Sequence, residues 1–126
     1  MAQEPTTRNI LEQGRAKCAY KCASKRKDKK EYPQNAKKLP MYIKTNGLGA
    51  AMAFMKTKDK DIYDDVSDWL NDSDCTVRSL VWGNTSGADL LECLVNINSS
   101  EYRAVTVEVL AFLNWLRRFA DGFKKS

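Results

Sequence analysis

The chain has 126 residues, 43% of them hydrophobic, which suits one domain able to bury roughly two-thirds of its unfolded surface. No stretch of about 18 apolar residues occurs, and no basic segment followed by an apolar run opens the chain, so neither a membrane span nor a secretory leader is expected. The formal charge of +5 hides an asymmetry: residues 1–60 carry 15 Lys and Arg against 5 Asp and Glu, whereas residues 61–126 carry 6 against 11.

A strongly basic half suits a polyanion, and an acidic half suits a cationic protein neighbour. Composition alone leaves the choice between RNA, DNA, an anionic membrane and an acidic protein open.

The spacing predicts a first helix from Thr7 to about Lys30. Ile10, Gly14, Cys18 and Cys22 recur every four residues, with Leu11 and Ala19 beside them, as a core-facing stripe. Lys17, Lys21, Lys25 and Lys29 form a second, basic stripe about 18 Å long, which suits a row of phosphates. The cluster Lys25–Lys30 is expected to fray into a loop ending near Tyr32-Pro33.

Pro33 suits the first turn of a second helix running through Leu39, Met41 and Ile43. Pro40 inside it removes one backbone donor and is placed to kink it. Asn46-Gly47 stops it, and Leu48 to about Lys58 forms a third helix after a very tight corner. The run N-G-L-G lacks the strand and spacing of a nucleotide loop, so Gly47 and Gly49 read as structural.

Asp61–Leu70 reads as a fourth helix with Ile62, Tyr63, Val66, Trp69 and Leu70 inward and Asp61, Asp64, Asp65 and Asp68 outward. Residues 71–88 have the composition of a loop, with a short helix around Val77, Leu80, Val81 and Trp82. Another short helix follows at Asp89–Asn96 through Leu90, Leu91, Leu94 and Val95. Asn98-Ser99-Ser100 offers caps for a last long helix, about Ser100–Asp121. Its inner face is Val105, Val109, Phe112, Leu116 and Phe119, broadened by Leu113 and Trp115. The sustained helical period outweighs its β-branched residues.

The expected fold is all-α, a compact bundle of six or seven helices without a sheet. It forms a single domain over residues 1–126, with residues 1–6 flexible and 71–88 a loop-rich insertion.

There is no histidine, the residue most used for acid–base work. The chain has no G-x-S-x-G, no Walker-type loop and no dense carboxylate pair. Thr106 and Glu108 lie about 200° apart on one helix and cannot form one site. Cys18, Cys22, Cys75 and Cys93 lack the paired spacing of a zinc site and read as small buried hydrophobes. An enzyme is not expected, nor a metal or other cofactor. The residues unaided point to binding or scaffolding, which includes a free-standing helical nucleic-acid-binding or adaptor domain.

Three segments carry a resemblance. Arg15-Ala16-Lys17-Cys18-Ala19 has the form R-A-x-x-A. Leu39-Pro40-Met41-Tyr42-Ile43-Lys44-Thr45-Asn46-Gly47-Leu48-Gly49 is followed by Phe54-Met55-Lys56-Thr57-Lys58. Tyr102-Arg103, Thr106, Glu108, Leu110, Leu113 and Trp115-Leu116-Arg117-Arg118-Phe119-Ala120 close the series. In this order they resemble the small (fifth) subunit of the type III-B CRISPR RNA-silencing complex, the Cmr complex.

The resemblance implies a non-catalytic, cytoplasmic helical protein. Copies of it would stack beside the backbone subunits and face the channel where target RNA pairs with guide RNA. Its expected partners are the Cmr backbone and other complex subunits, guide and target RNA, and further copies of itself. The motifs carry over as RNA contacts at Arg15, Lys44, Lys56, Lys58, Arg117 and Arg118. The basic stripe adds Lys17, Lys21 and Lys25.

Overall fold

A computed structural model describes residues 7–83 and 89–124. The expected flexibility of residues 1–6 and part of the loop-rich segment, 84–88, lie outside the described residues. Seven helices follow in order: α1 (Thr7–Lys25), α2 (Tyr32–Asn46), α3 (Leu48–Lys58), α4 (Lys60–Leu70), α5 (Arg78–Trp82), α6 (Leu90–Leu94) and α7 (Ser99–Gly122). Among the described residues there is no strand, and no helix is long and apolar enough to cross a membrane.

The long helix α7 is the centre of the bundle, sharing its broadest contacts with α1 and then α2. Helix α1 runs parallel to it: Arg15 meets Glu108, and Tyr20 meets Phe119 and Phe123. Helix α2 runs antiparallel, since its start lies with Pro33 near Lys124 and the corner after it touches Tyr102. Helix α4 is antiparallel to α1, with Trp69 beside Gly14 and Asp61 beside Arg26. The core between them holds Leu39, Leu48, Met52, Met55, Ile62, Trp69, Phe112, Leu113 and Leu116, all fully buried. Trp69 stacks on Phe112 with ring centroids 5.9 Å apart.

Two glycines set close approaches. Gly47 is the single residue between α2 and α3 and has φ +87°, a conformation that costs a side-chain-bearing residue energy. Its N–H closes α2 on the Ile43 carbonyl at 2.8 Å, while its own carbonyl accepts the first bond of α3 from Ala51 at 3.1 Å. A Cβ on Gly14 would stand 2.8 Å from the Asp74 Cβ, so α1 lies on the segment after α4 only because that side chain is absent. Helix α7 begins with a reciprocal cap: Asn98 Oδ1 accepts from the Glu101 N–H at 2.8 Å and the Asn98 N–H donates to Glu101 Oε1 at 3.2 Å.

Four expectations are corrected. Helix α1 ends at Lys25 rather than near Lys30, because residues 26–31 turn through short bonds such as Arg26 N–H to the Ala23 carbonyl and Arg26 is drawn to α4. Asp65 faces inward, not outward: it is 0% exposed and is sustained by Arg26 and Tyr32. Ile10 is 44% exposed, since the inner face of α1 rotates to Cys18, Ala19, Cys22 and Ala23. Val95 is 77% exposed because α6 closes at Leu94. As expected, α2 continues past Pro40 to Asn46.

Candidate nucleic-acid interface

The expected contacts begin with Arg15, whose guanidinium points into the protein. Its Nε and Nη2 donate to Glu108 Oε2 and Oε1 at 2.6 and 2.8 Å, and its Nη1 donates to Glu12 Oε1 at 2.7 Å. Glu108 is only 4% exposed and also accepts from Trp69 Nε1 at 3.1 Å. The hydrogen bond to Glu108 holds the Arg15 guanidinium still further above its already high pKa, against the opposing effect of burial. Sequence reasoning missed this pairing. Its signal was an acidic residue beside Val105, Val109 and Phe112, on a face that buries charge only when a cation answers it.

The other expected residues fall into separate groups. Lys17 and Lys21 are exposed on α1 and line a shallow depression with Tyr20, Phe119, Asp72 and Asp74. Lys25, at the end of α1, lies 3.9 Å from Asp68 in an open pair, a geometry of small energetic weight. Lys44 is exposed near the opposite end of the bundle, three residues before the Gly47 corner. Lys56 bridges to Asp89 at 3.1 Å and lies 5.4 Å from the centroid of the Tyr63 ring. Lys58 is exposed at the end of α3. Arg117 donates to Asn114 Oδ1 at 3.1 Å, and Arg118 is exposed. The antiparallel course of α2 against α7 separates Lys44 from Lys25 by nearly a helix length, about 20 Å. The nine residues therefore do not converge on one site.

A cationic cluster that sequence reasoning did not assemble lies at the end of the bundle where α7 finishes. Lys27, Lys29 and Lys30, from the turn after α1, surround a depression with Lys124, accompanied by Asp28 and Pro33. The lysine run was legible in the sequence, but Lys124 reaches it only through the course of α7.

Among the described residues, every buried side-chain polar atom has a hydrogen-bond partner. The Tyr32 hydroxyl donates to Asp65 Oδ2 at 2.6 Å, and Arg26 Nη2 donates to Asp65 Oδ1 at 3.1 Å. Burial, followed by the neighbouring Asp65, raises the Tyr32 pKa. The four cysteines are buried. A hydrogen bond with Cys18 and burial raise the Cys22 thiol pKa strongly, and burial pushes Cys75 up to about 12. Cys22, Asp65 and Asp68 bring donor atoms within 4.8 Å of one another. Both Asp65 oxygens already accept hydrogen bonds, so this trio has the arrangement of a structural network.

Comparison with known proteins follows the same lines. The family model of the CRISPR-associated protein (Cas_Cmr5) matches residues 11–123. The chain belongs to the CRISPR-associated Cmr5 family. The protein described as CRISPR system Cmr subunit Cmr5 from Thermus thermophilus is 30% identical over 100 residues. That alignment spans 79% of this chain and 81% of the relative. The stretch matched by the Cmr5 family runs from α1 to the end of α7. It takes in all three motif segments and the Arg15–Glu108 pair, while Lys124 lies just beyond it.

Proposed function

We propose that this chain is a non-catalytic small subunit of a type III-B CRISPR Cmr complex acting in antiviral defence in the cytoplasm. Copies stack beside the backbone subunits and contact the guide–target RNA duplex through exposed lysines. The observation that carries this reading is the Cmr5 family match over residues 11–123, joined to a surface where Lys17, Lys21, Lys44, Lys58 and Arg118 are all exposed. Such cations meet phosphates without reading sequence, and recognition is left to base pairing with the guide.

Arg15 contributes through the fold that displays these residues, since its guanidinium answers Glu108. The acidic surface of α4, with Asp61, Asp64 and Asp68, suits a basic patch on a backbone subunit or on the next copy.

Reconstitution with the cognate backbone subunit and guide RNA, read by native mass spectrometry, tests the assembly role. Several copies entering a discrete particle are expected. A chain that stays free would return the molecule to the adaptor class. Charge reversal at Lys44 is expected to weaken target RNA binding in the particle while leaving the monomer folded. Unchanged target affinity would remove Lys44 from the contact surface.

A further inference from the structure

Along the seam of α1 and α7, Tyr20 is 52% exposed although its ring rests on two others. Its centroid is 5.5 Å from Phe119 in an edge-to-face pair and 5.4 Å from Phe123 in a tilted one. Isolated exposed aromatics need no explanation. This one differs because Phe119 of α7 and Phe123 just after it hold the ring in place, and because cations flank it. Lys17 and Lys21, three residues before it and one after, line the same depression. Neither has an ion-pair partner among the described residues. Lys124 follows Phe123 directly and continues the basic character toward the end of the bundle.

Resting on the RNA reading above, we infer that Tyr20 is a stacking platform for one unpaired RNA base, with Lys17 and Lys21 on its phosphates and Lys124 continuing the track. The argument is chemical. A purely apolar partner would leave two lysines beside the ring unanswered, and a purely acidic partner would leave the ring idle. A nucleotide answers both, offering a π-face to the ring and a negative charge to the ammonium groups.

The ring is already ordered by Phe119 and Phe123, so little freedom is lost when a base settles on it. Asp72 and Asp74 also line the depression, and their charge disfavours a phosphate beside them. A duplex keeps its bases stacked inside, so this platform favours single-stranded RNA.

The test uses the full chain with a short RNA carrying 2-aminopurine, as a single strand and as a duplex of equal length, at low salt. Wild type and Tyr20→Trp are expected to quench the single-stranded probe. Tyr20→Leu, which keeps apolar packing on Phe119 and Phe123, is expected to lose the quenching and about fivefold or more of single-strand affinity, with duplex affinity unchanged. Replacing Lys17 and Lys21 by Ala is expected to weaken both forms. If the lysine variant weakens binding while Tyr20→Leu leaves quenching and affinity intact, the platform is overturned and the RNA reading stands. If wild type binds neither form, the RNA reading fails and the platform fails with it.

Discussion

At the scale of single residues, the decisive feature is the carboxylate of Glu108, buried against Trp69 and answered by Arg15. A buried charge left without its partner is costly. Arg15→Ala or Glu108→Ala is therefore expected to lower stability by about 3–5 kcal/mol, measured by urea unfolding. Replacing both residues with apolar ones of similar volume is expected to cost much less, and equal losses in the single and double variants would refute the pairing.

The buried thiols give a second prediction. The folded-state pKa of Cys75 is about 12, against an ordinary value of 9.0. Between these values the native state binds more protons than the unfolded chain, so stability is intact below about pH 9 and declines as pH rises toward 12. Cys22 is shifted in the same direction. Cys75→Ala is expected to flatten the alkaline decline by about one proton, read from unfolding free energies across that range.

At the scale of elements, the α2–α3 corner and the start of α7 are built by different local devices. At Gly47, φ +87° joins two helices through one residue, and the neighbouring Gly49 N–H donates to the Tyr102 hydroxyl at 2.7 Å. Gly47→Ala is expected to cost about 1–2 kcal/mol from backbone strain. The sign is a lower urea midpoint at unchanged slope, because compactness is retained. Asn98→Ala removes one half of the reciprocal cap and is expected to cost about 1 kcal/mol. Both devices were legible in the sequence. Asn-Gly is a helix stop in any context, and Asn followed three residues later by Glu is a start signal.

The loop after α1 was legible in the run Lys25–Lys30, but the residue at which the helix stops was not. Every residue from Lys25 to Lys30 tolerates a helix locally, and the chain turns where Arg26 meets Asp61 and Asp65 of a helix that comes later.

At the scale of the whole molecule, cations occupy both ends and one seam of the bundle. Binding should accordingly be multisite and salt-sensitive. With three to five phosphate contacts, log affinity for a single strand is expected to fall with log salt at a slope of about −2 to −3.5. Reversing Lys17 and Lys21 together is expected to make that slope shallower by about 1.4. Lys44, at the opposite end, is expected to add its effect independently. A slope unchanged by the double reversal would remove the α1 lysines from the contact surface.

The sequence by itself determined the helical class, the apolar inward residues of α4 and most of those of α7, the glycine corner and the family. These follow from local periodicity, cap chemistry and short motifs, all encoded by neighbours along the chain. Tertiary structure alone decided which charges are spent inside. Arg15 and Arg26 read as surface cations until Glu108 and Asp65 arrive from distant helices, and Lys124 joins Lys27, Lys29 and Lys30 only where α7 ends. The physical reason is that an ion pair depends on distance in space, and a residue's spacing along its own helix does not say which charge another helix will bring to it.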